Sequence, residues 1–381
     1  PMAVRSRQHP VRRRQRHAPA RQPGQTHFRS PSNIVARANT PALDPRAVAA
    51  HQRVPMTRIP DAANASRTPG TRKPGVEDSQ DPFPISRAGP PQSPGSLLSI
   101  LRKALRVSLS TERSGFADIA VSDLRLHTDA GPIPCRLYRS NPAGPAPLLI
   151  FFHGGGFITC DLETHDGLCR GLARAAGVQV LSVDYSLAPE APYPRQLEEA
   201  VAISRWAVVH ASTLGAKGAH VAVGGDSAGA YLAARAALAI NERNPGRIRA
   251  QLLLYPLIQM DDAVWAHPTF SGGRIVGRFA ARLMRNQLRG TYSSLLTENL
   301  STAPPTLLVT GGPDPTRRDA EIFVKALRDS EVPVQVRHCR FLPHGGFNLL
   351  HLSGRARADL MEVGDMLGLM LTPRPSIPMP T

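Results

Sequence analysis

Six near-continuous apolar runs, PLLIFFHG (147–154), VQVLSVDY (178–185), HVAVGGDS (220–227), RAQLLLYP (249–256), PTLLVTGG (305–312) and VQVRHCRF (334–341), alternate with stretches of helical texture at 165–176, 195–213, 228–243, 318–330 and 355–371. A strand that is apolar at almost every position has no solvent-facing side, so these runs are expected to be parallel strands covered on both faces. Repeated strand–helix units then predict an α/β chain with a doubly wound, mostly parallel sheet. Ahead of them, IAVSDLRLHT (119–128) and PIPCRLYRS (132–140) read as a hairpin turning at Asp129-Ala130-Gly131, which makes the N-terminal edge antiparallel. SLLSILRKALRVSL (96–109) spaces its leucines as an amphipathic helix. One connection breaks the pattern. About 50 residues separate Pro256 from Thr306, including a predicted helix at 275–288, and so long a link reads as an inserted cap over the carboxyl ends of the strands.

The formal net charge of +17 suggests a polyanion partner until its position is examined. Residues 1–80 hold fifteen basic and four acidic residues, which is +11 of the total. Residues 1–95 show no sustained period apart from a helical turn expected within Pro41–Val54, and are read as an Arg/Pro-rich tail that buries too little apolar surface to order itself. The catalytic domain is placed at 96–372 and a C-terminal tail at 373–381. Only Phe28 interleaves the basic tract and no nucleic-acid module is apparent, so nucleic acid is not the expected partner. No apolar run reaches the about 18 residues of a membrane span. Arg12, Arg13, Arg14 and Arg16 are not followed by an export-type apolar segment. Cys135, Cys160, Cys169 and Cys339 lack metal-site spacing and read as reduced thiols of a cytoplasmic protein. No metal is expected.

The sharpest signal is GGDSAGA (224–230), set between the apolar run HVAV and the helical run YLAARAALAI. G-x-S-x-G at a strand-to-helix turn is a nucleophile elbow, with Gly225 and Gly229 permitting the tight turn and Ser227 exposed at its tip. HGGGF (153–157) ends the strand PLLIFF, and a glycine run there offers backbone N–H groups to a developing oxyanion. Gly155, Gly156 and Ala228 are the candidate donors, with His153 and Gly154 as supporting motif residues. No Gly-Lys-Ser/Thr follows the run, so it is not a phosphate loop of the Walker kind. A serine nucleophile needs a base and an orienting acid, expected after later strands. Asp314 follows PTLLVTGG and His344 follows VQVRHCRF, in the order Ser227, Asp314, His344. Asp319 competes with Asp314, but its place in the first helical turn explains it by capping alone. His338 falls inside a strand and His351 on the following helix.

Taken together, HGGGF, DYSLAPEAPYP (184–194), GDSAG (225–229, with Asp226 before the serine), Asp314-Pro315 and HGGF (344–347) resemble the hormone-sensitive-lipase family of the α/β-hydrolases, the bacterial family IV esterases and lipases, over about residues 96–371. The resemblance implies an eight-stranded sheet, a cap from about 96–115 and 257–300, and hydrolysis of a small-molecule carboxylic ester without a cofactor. Short to medium acyl chains are the family's usual substrates. Trp265, Phe270, Phe279 and Met284 are candidates for lining the cap. Four departures stand out: Ser186 where the family has arginine, Ala230-Tyr231 after the elbow where it has Gly-Asn, one extra residue in DPTRRD (314–319), and one extra glycine in HGGF. Competing readings are an amide, lactone or thioester hydrolase on the same triad, and a catalytically silent small-molecule binder. The sequence leaves oligomeric state open, a homodimer being compatible with it.

Overall fold

A computed structural model describes residues 92–110, 116–140, 144–259, 282–286, 288 and 292–372. The tail before residue 92, most of the 257–300 insertion (with Trp265, Phe270 and Phe279) and residues 373–381 lie outside them. In chain order the elements are α1 (Ser96–Leu109), β1 (Ala120–Thr128), β2 (Gly131–Arg139), β3 (Ala146–Phe152), α2 (Asp166–Ala176), β4 (Gln179–Val183), α3 (Arg195–His210), β5 (Ala216–Asp226), α4 (Ala228–Arg243), β6 (Ile248–Leu254), β7 (Thr306–Gly311), α5 (Arg317–Asp329), β8 (Val334–Cys339) and α6 (Gly354–Leu371). Residues 282–286 and 288 are helical, within the helix expected at 275–288.

The strands form one eight-stranded sheet in the order β1-β2-β4-β3-β5-β6-β7-β8. β2 pairs antiparallel with β1 and with β4, and every later pairing is parallel. Along β3 the alternation of a strand sends Leu148, Ile150 and Phe152 to one face and Leu149 and Phe151 to the other. The first face is covered by α3, α4 and α5, through residues such as Ile203, Leu232 and Phe323. The second is covered by α2 and α6, through Leu172, Leu360 and Val363. This is why the central strands read as unbroken apolar runs. The hairpin turn is one residue shorter than expected: Asp129 and Ala130 alone form it, and Gly131, at φ +98°, already pairs with Thr128 as the first residue of β2.

The chain order reverses beside β3, which lies between β4 and β5. Ligands of open α/β sheets bind at the carboxyl ends of strands near such a reversal. HGGG follows β3 and the serine follows β5, so both motifs arrive at one place.

Candidate active site

Ser227 sits between the last residue of β5 and the first of α4 with φ +53° and ψ −116°. A non-glycine residue in that region costs about 1–3 kcal/mol, so its surroundings must hold it. Its N–H donates to Leu254 O at 2.9 Å, and its carbonyl accepts from Leu257 N at 3.1 Å and Tyr231 N at 3.3 Å. The strain of the turn therefore falls on the serine. The two flanking glycines serve a different purpose from the turning role expected of them: neither has positive φ. A Cβ on Gly225 would lie 2.5 Å from Phe152 O, and one on Gly229 would lie 1.9 Å from the same oxygen and 2.5 Å from His153 O. They let the elbow lie directly against the end of β3. Gly229→Ala is expected to cost about 3 kcal/mol or more, because backbone would have to yield to backbone; urea unfolding measures it.

In the HGGG loop, Gly155 (φ +110°) and Gly156 (φ +64°) occupy conformations that side chains disfavour. The Gly155 carbonyl accepts from Ile158 N, Thr159 N and the Thr159 hydroxyl at 3.2, 3.0 and 2.9 Å. These three bonds fix the Gly155–Gly156 peptide, whose N–H points opposite to its carbonyl. Ala228 N–H is the first of α4, at the positive end of the helix. Among the described residues, no acceptor holds the N–H of Gly155, Gly156 or Ala228. Gly154 N–H instead donates to Asp226 Oδ1 at 2.7 Å. Above the loop, Met284 Sδ is 2.5 Å from where a Gly156 Cβ would stand, so the described part of the insertion rests on this loop. Arg102 of α1 donates to Ile158 O at 2.7 Å and Ala188 O at 2.9 Å and pairs with Glu190, tying α1 to the HGGGF and DYSLAPE segments.

His153 is fully buried, stacked on Tyr185 at 4.3 Å, with Nδ1 2.8 Å from Gly154 O. Burial, helped by the His165 ring, pushes its pKa down to about 4. Between pH 6.5 and 4 the unfolded chain therefore binds a proton that the folded chain refuses, so stability falls as pH drops through that window, by up to about 3 kcal/mol. Unfolding midpoints at pH 7, 6 and 5 are expected to fall less steeply for His153→Asn than for the wild type.

Ser227 Oγ lies 2.8 Å from His344 Nε2, and His344 Nδ1 lies 2.9 Å from Asp314 Oδ1. A carboxylate can only accept, so the ring proton sits on Nδ1 and the Nε2 lone pair faces the serine hydroxyl. Asp314 Oδ1 also accepts from the N–H and the hydroxyl of Thr316, each at 2.9 Å. Burial works against the charge on Asp314, but the His344 ring and Thr316 together hold its carboxyl below its usual range. Asp319 takes its expected place in the first turn of α5, where Gln259 donates to it at 3.3 Å. His338 contacts Thr310 Oγ1 at 3.0 Å within the sheet. The extra residue of DPTRRD and the extra glycine of HGGF, where Gly345 takes φ +71°, leave these contacts intact. Among the described residues, no cluster of three or more His, Cys, Asp or Glu could hold a metal, and no helix is long and apolar enough to cross a membrane.

The departures at Ser186 and Tyr231 have local answers. Ser186 donates both its N–H and its hydroxyl to Glu199, at 2.7 and 2.8 Å, and Arg195 supplies the cation for that carboxylate at 3.0 Å. Tyr231 stacks on Tyr292, meets Phe157 edge-on, and is within hydrogen-bond distance of Tyr193 Oη and Ser293 O. Sequence reasoning passed over Arg102, Thr159, His165 and Asn348, which carry no motif and act only through contacts made in the folded chain.

A sheet in this order, with HGGG after its third strand and a strained serine between its fifth strand and the next helix, defines an α/β-hydrolase. The model of the family described as alpha/beta hydrolase fold matches residues 149–348, and the chain belongs to that family, in its hormone-sensitive-lipase (family IV) branch. It is 39% identical over 261 residues to the carboxylic ester hydrolase LipN of Mycobacterium tuberculosis, covering 64% of this chain and 69% of that protein. It is 32% identical over 232 residues to an ethyl acetate hydrolase of Pseudomonas putida, covering 57% and 72%. A solved esterase structure from Pyrobaculum calidifontis matches with TM-score 0.66 and 27% identity, covering 72% of this chain and 93% of that one.

Proposed function

We propose that the protein is a serine carboxylic ester hydrolase working through an acyl-enzyme on Ser227. The observation that carries this reading is the continuous line from Ser227 Oγ through the His344 ring to Asp314. His344 takes the Ser227 proton as the oxygen attacks the ester carbonyl, and returns it to the leaving alcohol. Gly155, Gly156 and Ala228 donate to the oxyanion, each such donor being worth about 2.7–4 kcal/mol. Asp314 holds the ring tautomer and stabilises the imidazolium. Water, deprotonated by His344, then releases the acid.

Short to medium acyl chains are the substrates assigned to this site. Met284 covers Gly156, and Phe157, Tyr193 and Tyr292 pack their rings around Tyr231, which stands one helical turn after Ser227 in α4. The name of the Pseudomonas putida relative points the same way. We assign α1 and the 257–300 insertion to the cap, and the four thiols, none of them in a disulfide, suit a reducing cytoplasm. Rates on p-nitrophenyl esters from acetate to laurate test the reading. The expected result is a maximum in kcat/KM at or below hexanoate; a maximum at laurate would refute the chain-length assignment, and inactivity on every ester the whole proposal.

A further inference from the structure

The proposed reaction draws on three separate segments: the HGGG loop after β3, the elbow after β5 and the His344 loop after β8. A buried polar junction lies beneath all three. Asp226 Oδ1 accepts from Gly154 N–H at 2.7 Å and lies 3.0 Å from His165 Nε2, with both side chains almost completely buried. The same Nε2 is 3.1 Å from the side-chain amide of Asn348, which sits four residues beyond His344 in the 3-10 segment Gly346–Leu352. His165 is itself held where α2 begins: its carbonyl accepts from Cys169 N at 2.9 Å, and its Nδ1 is 3.0 Å from Thr164 Oγ1. Thr164 is clasped in turn by Asp161 through bonds of 2.8–2.9 Å.

We infer that His165 is a positioning residue for the reaction, setting the oxyanion loop and the base loop against the nucleophile elbow. The inference rests on the proposed roles of Ser227, His344 and the HGGG loop. An imidazole and a carboxylate are costly to bury, and apolar side chains would fill the same space without that cost. What apolar packing cannot supply is direction. Asp226 fixes where Gly154 N–H points, the His165 Nε2–H fixes Asp226, and Asn348, whose side-chain amide presents its oxygen to that same N–H, ties the base loop to the junction. With His165 and Asp226 almost completely buried, such bonds face little competition from bulk solvent, so they define positions sharply. Releasing them lets donors and base drift, and a drift of about 1 Å costs about 100-fold in rate.

The test uses the full chain with His165→Leu, His165→Gln, Asn348→Ala and the double variant His165→Leu/Asn348→Ala. Glutamine can place an N–H near the position of the imidazole Nε2; leucine cannot. His165→Leu is expected to lower kcat about 10–100-fold with KM within about twofold, because the lost alignment matters in the transition state. His165→Gln is expected to recover most of that loss, and Asn348→Ala to add little in the leucine background, since both act through one junction. A leucine variant with a lower melting temperature but wild-type kcat and KM would overturn the inference, as would a glutamine variant no better than leucine. If His165→Leu does not fold, the kcat of His165→Gln and Asn348→Ala decides: wild-type kcat in Asn348→Ala together with a 10-fold or greater loss in His165→Gln overturns it. Labelling of wild-type Ser227 by a fluorophosphonate keeps the two readings apart. An unlabelled wild type refutes the assignment of the nucleophile, and a labelled wild type beside a fully active His165→Leu refutes only the role of His165.

Discussion

Ser227→Ala is expected to lower ester kcat about 10⁶-fold, leaving only the about 10³–10⁴-fold advantage over water that binding and oxyanion donors provide. The magnitude follows from what the hydroxyl does. It is the atom that His344 Nε2 faces at 2.8 Å, and the bonds that hold residue 227 in its strained conformation all use its backbone N–H and carbonyl. Removing Oγ therefore removes the proposed nucleophile without removing anything that supports the elbow, and the melting temperature is expected to stay within a few degrees of wild type. Steady-state rates on p-nitrophenyl butyrate together with a thermal melt check both halves. A variant retaining a tenth of the activity would rule out Ser227 as the nucleophile.

Substitution of Asp314 is expected to be graded in an unusual way. In a triad where the amide of an asparagine turns its NH₂ toward the histidine, the wrong tautomer is imposed and about 10⁴-fold in kcat is lost. Here one oxygen, Oδ1, carries all three donors: the His344 ring and the N–H and hydroxyl of Thr316. Oδ2 is buried and has no partner among the described residues. Thr316 thus holds an asparagine carbonyl at the Oδ1 position, and the ring keeps its Nδ1 proton. What Asp314→Asn loses is the negative charge that stabilises the imidazolium, along with about 1–3 kcal/mol of stability for an unpaired NH₂. Asp314→Ala loses the orientation as well, and its kcat is expected to fall about 10⁴-fold. The asparagine variant should retain at least about tenfold more activity than the alanine variant, and Thr316→Val, which removes the hydroxyl donor but keeps the N–H, should narrow that difference. Equal losses in the two Asp314 variants would show that Thr316 does not govern the orientation.

Both substitutions fall at candidate residues that the sequence alone singles out. GGDSAGA was readable because the elbow demands small residues at fixed offsets from the serine; the structure moves the reason from the turn itself to the contact of Gly225 and Gly229 with Phe152. Asp314 and His344 were readable because strand order dictates which loops reach the carboxyl edge of the sheet. The hairpin turn was placed one residue too long because Gly131, a residue that signals turns, serves here as the first strand residue at positive φ. The junction of Asp226, His165 and Asn348 was not legible. It joins side chains from three distant loops, and neither the 3.6 nor the 2 period relates them. Ser186, where the family has arginine, has its answer in Arg195, one helical turn from Glu199, a pairing that no sequence period reveals. The net charge of +17 carried little about the chemistry, since most of it belongs to residues 1–80, outside the described part of the chain.

The central claim is that Ser227 becomes covalently acylated, with His344 as its base. Peptide mass mapping after brief exposure of the full chain to a fluorophosphonate tests it most directly. The account predicts one adduct per chain, on the peptide containing Ser227, absent in Ser227→Ala and slowed by orders of magnitude in His344→Ala. An unmodified Ser227 beside active ester turnover, or an adduct on another residue, would contradict it.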